Sequence, residues 1–154
     1  MSSFDYTLEI ERALLKTMIS SQMMCRAHLP TLRTELFSNA QRKFILTTAQ
    51  SVFATSRDIL SKIVFEYEVG VKIDKSDAVH FISEWNMIEG MDVTESPEVL
   101  ISKLEEANTG RKVLQLNSDL LLLLEQGQIQ EAVTHLKQVS VNLGNNTEAR
   151  QLVN

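Results

Sequence analysis

Apolar residues recur along this chain at intervals of three and four, the spacing that lines up side chains on one face of an α-helix. The first such segment is Leu8 to Ser20. Ile10, Leu14, Leu15 and Met18 share a face, and Glu9, Glu11, Arg12 and Lys16 fall largely opposite. A shorter segment, Gln22 to His28, stops at Pro30, and Thr31 to Phe37 predicts one more short turn. Ser38 with Gln41 three residues on reads as a capping box, which satisfies the free backbone N–H groups of a helix start. It predicts a helix over 39–54 with Phe44, Ile45, Ala49, Val52 and Phe53 inward. Thr55 and Ser56 offer the next cap. The helix they predict, 57–69, turns Ile59, Leu60, Ile63, Val64 and Tyr67 inward and stops at Gly70. Val69 to Ile73 alternates β-branched residues but has no partner strand elsewhere, so it reads as an extended connection.

Asp74 or Ser76 then caps a helix running to Ile88, with Val79, Phe81, Ile82 and Trp85 apolar. Ser96-Pro97 is a strong start signal, a cap residue followed by proline where its missing N–H costs nothing. That helix uses Val99, Leu100 and Leu104 and ends near Ala107, before a turn at Asn108-Thr109-Gly110. Arg111 to Gln126 is the most apolar helix in the chain. Gly127 breaks it, and Gln128 to Leu143 returns as a second helix; so short a connection predicts an antiparallel hairpin. Gly70, Gly90, Gly110, Gly127 and Gly144 each follow a helical segment, and all five read as C-terminal stops. The expectation is an all-α fold: a compact bundle of about six to eight helices ending in a long antiparallel hairpin. One helical domain covers 1–143, with the hairpin over 111–143, and 144–154 is a polar, fraying tail or the start of a linker.

Composition narrows the class. The chain has 154 residues, 44% of them hydrophobic, enough for one ordinary core, and only two prolines. Its net charge of −5 repels phosphate backbones, so direct nucleic-acid binding is not expected. A single cysteine, Cys25, excludes an intrachain disulfide and fits a reducing, cytoplasmic setting. Met1 to Tyr6 has no leader character. The longest apolar run, Leu120 to Leu124, is far short of the roughly 20 residues that span a bilayer.

Chemistry is sparse. The glycines are isolated, so no phosphate-binding loop exists and nucleotide hydrolysis by this chain is not expected. His80 and Glu84 stand four apart on a predicted helix, but zinc needs three or four ligands, and an ordinary half-exposed pair is the better reading. Cys25 has His28 three residues on, yet it lies in Met23-Met24-Cys25 and reads better as a small apolar packing residue. Glu66, Glu68, Asp74 and Asp77 surround Gly70 and read as solvated helix ends. No catalytic residue, metal ligand or cofactor site is predicted.

Val113 to Leu124 carries the sharper signal. Val113, Leu116, Leu120 and Leu124 occupy one face, while Leu114, Leu121 and Leu122 spread round the helix. A helix apolar on nearly all sides must be covered on nearly all sides. It is therefore either the central core helix or a face covered by another chain. The candidate self-association surface is Leu116, Leu120, Leu123 and Leu124 with Ile129, Val133 and Leu136.

Three stretches together resemble the N-terminal domain of replicative hexameric DNA helicases, the DnaB-like family and its phage branch. Ile10-Glu11-Arg12-Ala13-Leu14-Leu15 is similar to that domain's opening helix. The middle stretch matches in either of two registers: Leu36-Phe37-Ser38-Asn39 with Phe44-Ile45, or Phe53-Ala54-Thr55-Ser56 with Ile59-Leu60. Arg111 through Ala132 is similar to the closing helical hairpin. The resemblance implies a collar subunit that self-associates as a dimer or hexameric collar through the hairpin and receives a primase or helicase loader. The family's ATPase motor is not in this sequence. Two other readings share the fold class: a free-standing phage loader or regulatory adaptor, and a tetratricopeptide-like module. The latter needs a period of about 34 residues repeated three times, of which one copy is present.

Overall fold

The computed structural model describes the backbone of residues 4–153 and the side chains of residues 7–141. Readings of the Met1 to Tyr6 side chains, and of those beyond Val141, lie outside these ranges. Among the described residues the chain forms seven α-helices and no strand. They are α1 (Phe4–Met18), α2 (Gln22–His28), α3 (Ala40–Ser56), α4 (Lys62–Lys72), α5 (Lys75–Glu89), α6 (Pro97–Glu125) and α7 (Ile129–Val153). Two single 3-10 turns, Leu29–Thr31 and Thr34–Leu36, carry the chain from α2 to α3. No helix among the described residues is long and apolar enough to cross a membrane.

Packing divides the chain into two units, Met1–Glu105 and Glu106–Asn154, where the sequence predicts one domain over 1–143. The first unit holds the buried core cluster, whose last member is Leu104. Leu14, Leu15 and Met18 of α1, Ile45 and Ala49 of α3 and Ile88 of α5 are all fully or almost fully buried. Aromatic rings join α3, α4 and α5. Phe44 meets Phe81 edge-on at 5.4 Å between centroids, and Phe65 stacks on Trp85 at 4.7 Å. Such pairs add about 0.5–1.5 kcal/mol beyond their buried area.

Several helix ends differ from the sequence reading, each for a local reason. The cap of α3 is Asn39, whose side chain accepts from Arg42 N at 2.8 Å, and Ser38 is freed for another role. Thr55 and Ser56 do not cap a helix. They lie in the last turn of α3, where their hydroxyls donate to the carbonyls of Ser51 and Val52. Arg57, in the left-handed conformation at φ 62, then ends α3. Ser61 is the true cap of α4 and accepts from Val64 N, so that helix starts five residues later than its apolar pattern suggests. Its buried face differs as well. Phe65 and Val69 are buried, whereas Ile63, Tyr67 and Val71 are exposed.

Glycine proves an uneven stop. Gly70 lies within α4 and Gly110 within α6, each with nothing near the place of a Cβ. The stretch Val69 to Lys72 is accordingly helical rather than extended. Likewise Asn108-Thr109-Gly110 is not a turn: α6 continues through it. The backbone of α7 runs on through Gly144 to Val153, where the sequence suggests a fraying tail. Among the glycines described, only Gly127 has a positive φ, 74. There Gly127 N donates to Leu124 O and Gln128 N to Leu123 O, the paired bonds that satisfy a helix's last carbonyls.

Candidate protein-interaction surface

The second unit contains the hairpin of the end of α6 and α7. Across it His135 Nε2 and Asp119 Oδ2 stand 3.1 Å apart, and Asp119 also accepts from Gln115 Nε2 at 2.8 Å. This pair fixes which side of α6 faces α7. Leu116, Leu120 and Leu123 lie three before, one after and four after Asp119, on that same side, and each is half-buried. On α7, Ala132, three residues before His135, is buried, and Val139, four after it, is half-buried.

The seven residues of the sequence-based surface therefore part into two sets. Leu116, Leu120 and Leu123 face the hairpin's own seam. Leu124, Ile129, Val133 and Leu136 are exposed. The most exposed leucines among the described residues, Leu114 at 67% and Leu121 at 62%, are not among those seven. With Leu122 and Leu124 they put four exposed leucines on the outer side of α6, interspersed with Asn117, Ser118 and Glu125. Their signal was in the sequence, because Leu114 and Leu121 are two turns apart and share a face.

The first unit holds a polar cluster that sequence reasoning missed. Glu11 of α1 is fully buried, not on the solvated face. It accepts from Ser38 N at 2.7 Å, Ser38 Oγ at 2.8 Å and Arg42 Nε at 2.9 Å. Arg42 also donates from Nη1 to Glu84 Oε1 at 3.2 Å and from Nη2 to Ser38 Oγ at 3.0 Å. Arg12 grips the other side of Glu84, Nε to Oε2 at 2.6 Å and Nη2 to Oε1 at 3.1 Å. The Glu84 carboxylate pushes the Arg12 guanidinium pKa up by hydrogen bonding. Two carboxylates and two guanidinium groups thus neutralise one another across α1, α3 and α5. Every carboxylate oxygen of the pair accepts at least one of these bonds, so the cluster ties the three helices together.

The remaining candidates are placed just as plainly. Glu84 turns to the two arginines while His80 is exposed, so the two do not form a ligand pair. Cys25 is buried, its Sγ donating to Met18 O at 2.7 Å, and burial pushes its thiol pKa up. His28 pairs instead with Glu98, Nε2 to Oε1 at 3.1 Å. Among the described residues no group of three or more His, Cys, Asp or Glu is arranged to hold a metal ion. Comparison with protein families, curated proteins and solved structures finds no match to this chain.

Proposed function

We propose that this chain is a non-catalytic assembly module whose α6–α7 hairpin binds a second copy of itself, as the collar domain of a replicative helicase would. The observation that carries the reading is the outer apolar side of α6, where Leu114, Leu121, Leu122 and Leu124 are each more than half exposed. Burying such a side chain fully is worth about 1.5–3 kcal/mol, a strong drive to cover it. Exposed leucines on one side of one hairpin also suit a self-complementary contact, in which each copy offers the same patch.

The helicase-collar form of the proposal rests on the resemblance together with the order of elements. Phe37 is buried, Asn39 caps α3, and Phe44 and Ile45 follow on that helix, as the first middle register requires. The second register needs a polar turn at Thr55-Ser56, which is helical here. In this reading a primase or loader is the recruited partner, and a free-standing phage adaptor of the same architecture is the alternative.

Leu121→Asp with Leu124→Asp places two charges on the exposed side while sparing the seam. The double variant is expected to keep its far-ultraviolet helical spectrum and to lose self-association in light scattering. Unchanged mass would sink the assignment of this face. Leu120→Asp, on the seam, is expected to lower helicity instead.

A further inference from the structure

Arg26 of α2 and Arg57 at the end of α3 line one groove with Gln22 and Phe53. Phe53 and Arg57 also line the adjoining cavity, about 450 Å³, whose other walls include Leu29, Pro30, Leu32 and Ala54. The two share Phe53 and Arg57 in the first unit, with Arg26 on one side of them and the exposed apolar residues Pro30 and Ala54 on the other.

Three features mark it as built rather than incidental. Arg12, Arg33 and Arg42 each pair with a glutamate, whereas no ion pair joins Arg26 or Arg57 to a carboxylate among the described residues. Arg57 holds a left-handed φ of 62, a conformation disfavoured for a residue with a long side chain. Strain of this kind is kept where the surroundings impose it, often at binding sites. Here Arg57 N donates to Phe53 O at 2.9 Å, Gln22 Nε2 donates to Arg57 O at 3.0 Å, and the guanidinium lies 5.5 Å from the Phe53 ring centroid. The apolar end is fixed as well, since Gln50 Nε2 donates to both Leu29 O and Leu32 O, at 3.0 and 2.7 Å.

We propose that this groove binds a short segment of a partner protein carrying one or two carboxylates beside a single large apolar side chain. The guanidinium groups would take the carboxylates, which they match in charge and in forked geometry. The apolar side chain would lie against the exposed Pro30 and Ala54. A nucleic-acid strand fits less well. Phe53 is 4% exposed, so it offers no stacking face for a base, and the chain's net charge of −5 opposes a phosphate backbone. The proposal is independent of the hairpin, because every residue in it lies before Glu105.

The test is selection from a random peptide-display library on the full chain, run in parallel on Arg26→Gln with Arg57→Asn. Asparagine tolerates the left-handed conformation, so the second change removes the charge and keeps the turn. Arg26→Gln alone, at an exposed position, carries the same test if the double variant melts early. Selected peptides are expected to share an acidic–apolar motif and to shift the amide resonances of Leu32 and Ala54. Their affinity should fall roughly tenfold or more on the variant. No enriched motif, a motif without carboxylates, resonance shifts elsewhere, or equal affinity for the variant would each overturn the proposal. Tighter binding of a short oligothymidine in the groove would overturn it in favour of nucleic acid.

Discussion

Glu11 stands on α1 three, four and seven residues before Leu14, Leu15 and Met18, so helical arithmetic puts it on their face. The sequence reading set it among the solvated charges because a glutamate ordinarily stays in water. What satisfies it in the core is Ser38 together with Arg42, thirty-one residues away, and no local pattern announces so distant a partner. Its dependence on that partner is testable. Arg42→Met leaves a buried, unpaired carboxylate and is expected to destabilise the fold by about 3–5 kcal/mol. Urea unfolding followed by circular dichroism measures it, and a loss below about 1 kcal/mol would mean the cluster is solvated. Glu98 gives a milder prediction. Its carboxyl is held below the ordinary glutamate value of 4.5 by its own backbone N–H first, then by His28 and Ser96. Folding lowers that pKa, so the stabilisation is present above the unfolded value and is lost as pH falls through the folded one. The difference in urea midpoint between the native chain and Glu98→Gln should therefore shrink as pH drops below about 4.5.

At the scale of elements, most helices were legible and their ends were less so. Periodicity located α1, α2, α3 and α5, whose apolar residues pack against one core. It misplaced α4, since Ile59 and Leu60 continue the apolar rhythm into the loop that precedes Ser61. Cap chemistry, not periodicity, decides where that helix begins. The glycines show the same limit. A helix tolerates an exposed glycine at a cost of about 1 kcal/mol when its neighbours hold it, so Gly70 and Gly110 failed as stops. Gly70→Ala adds a methyl group to open space in a helix interior and is expected to stabilise the first unit by about 0.5–1 kcal/mol. Gly127→Ala meets a φ of 74 and is expected to cost about 1 kcal/mol in thermal unfolding of the hairpin. Opposite signs at two glycines of similar sequence setting would support the turn geometry; equal signs would count against it.

For the whole molecule, the apolar excess of Val113 to Leu124 was the visible signal, and it left two explanations standing: a central core helix or a face covered by another chain. The core cluster lies in the first unit and ends at Leu104, and none of the hairpin leucines among the described residues is buried. The sequence could not separate Leu120 from Leu121, because both are leucines on one helix and only the position of α7 distinguishes them. The arginine groove was less legible still, since Arg26 and Arg57 lie thirty-one residues apart and only the fold brings them to one site. The central claim, that the exposed hairpin serves self-association, is tested most directly by molar mass in solution, from light scattering on a sizing column across a range of concentrations. A dimer or larger ring that dissociates on dilution, and is lost in Leu121→Asp with Leu124→Asp, is the predicted result. A monomer of 17.4 kDa at every concentration would contradict it.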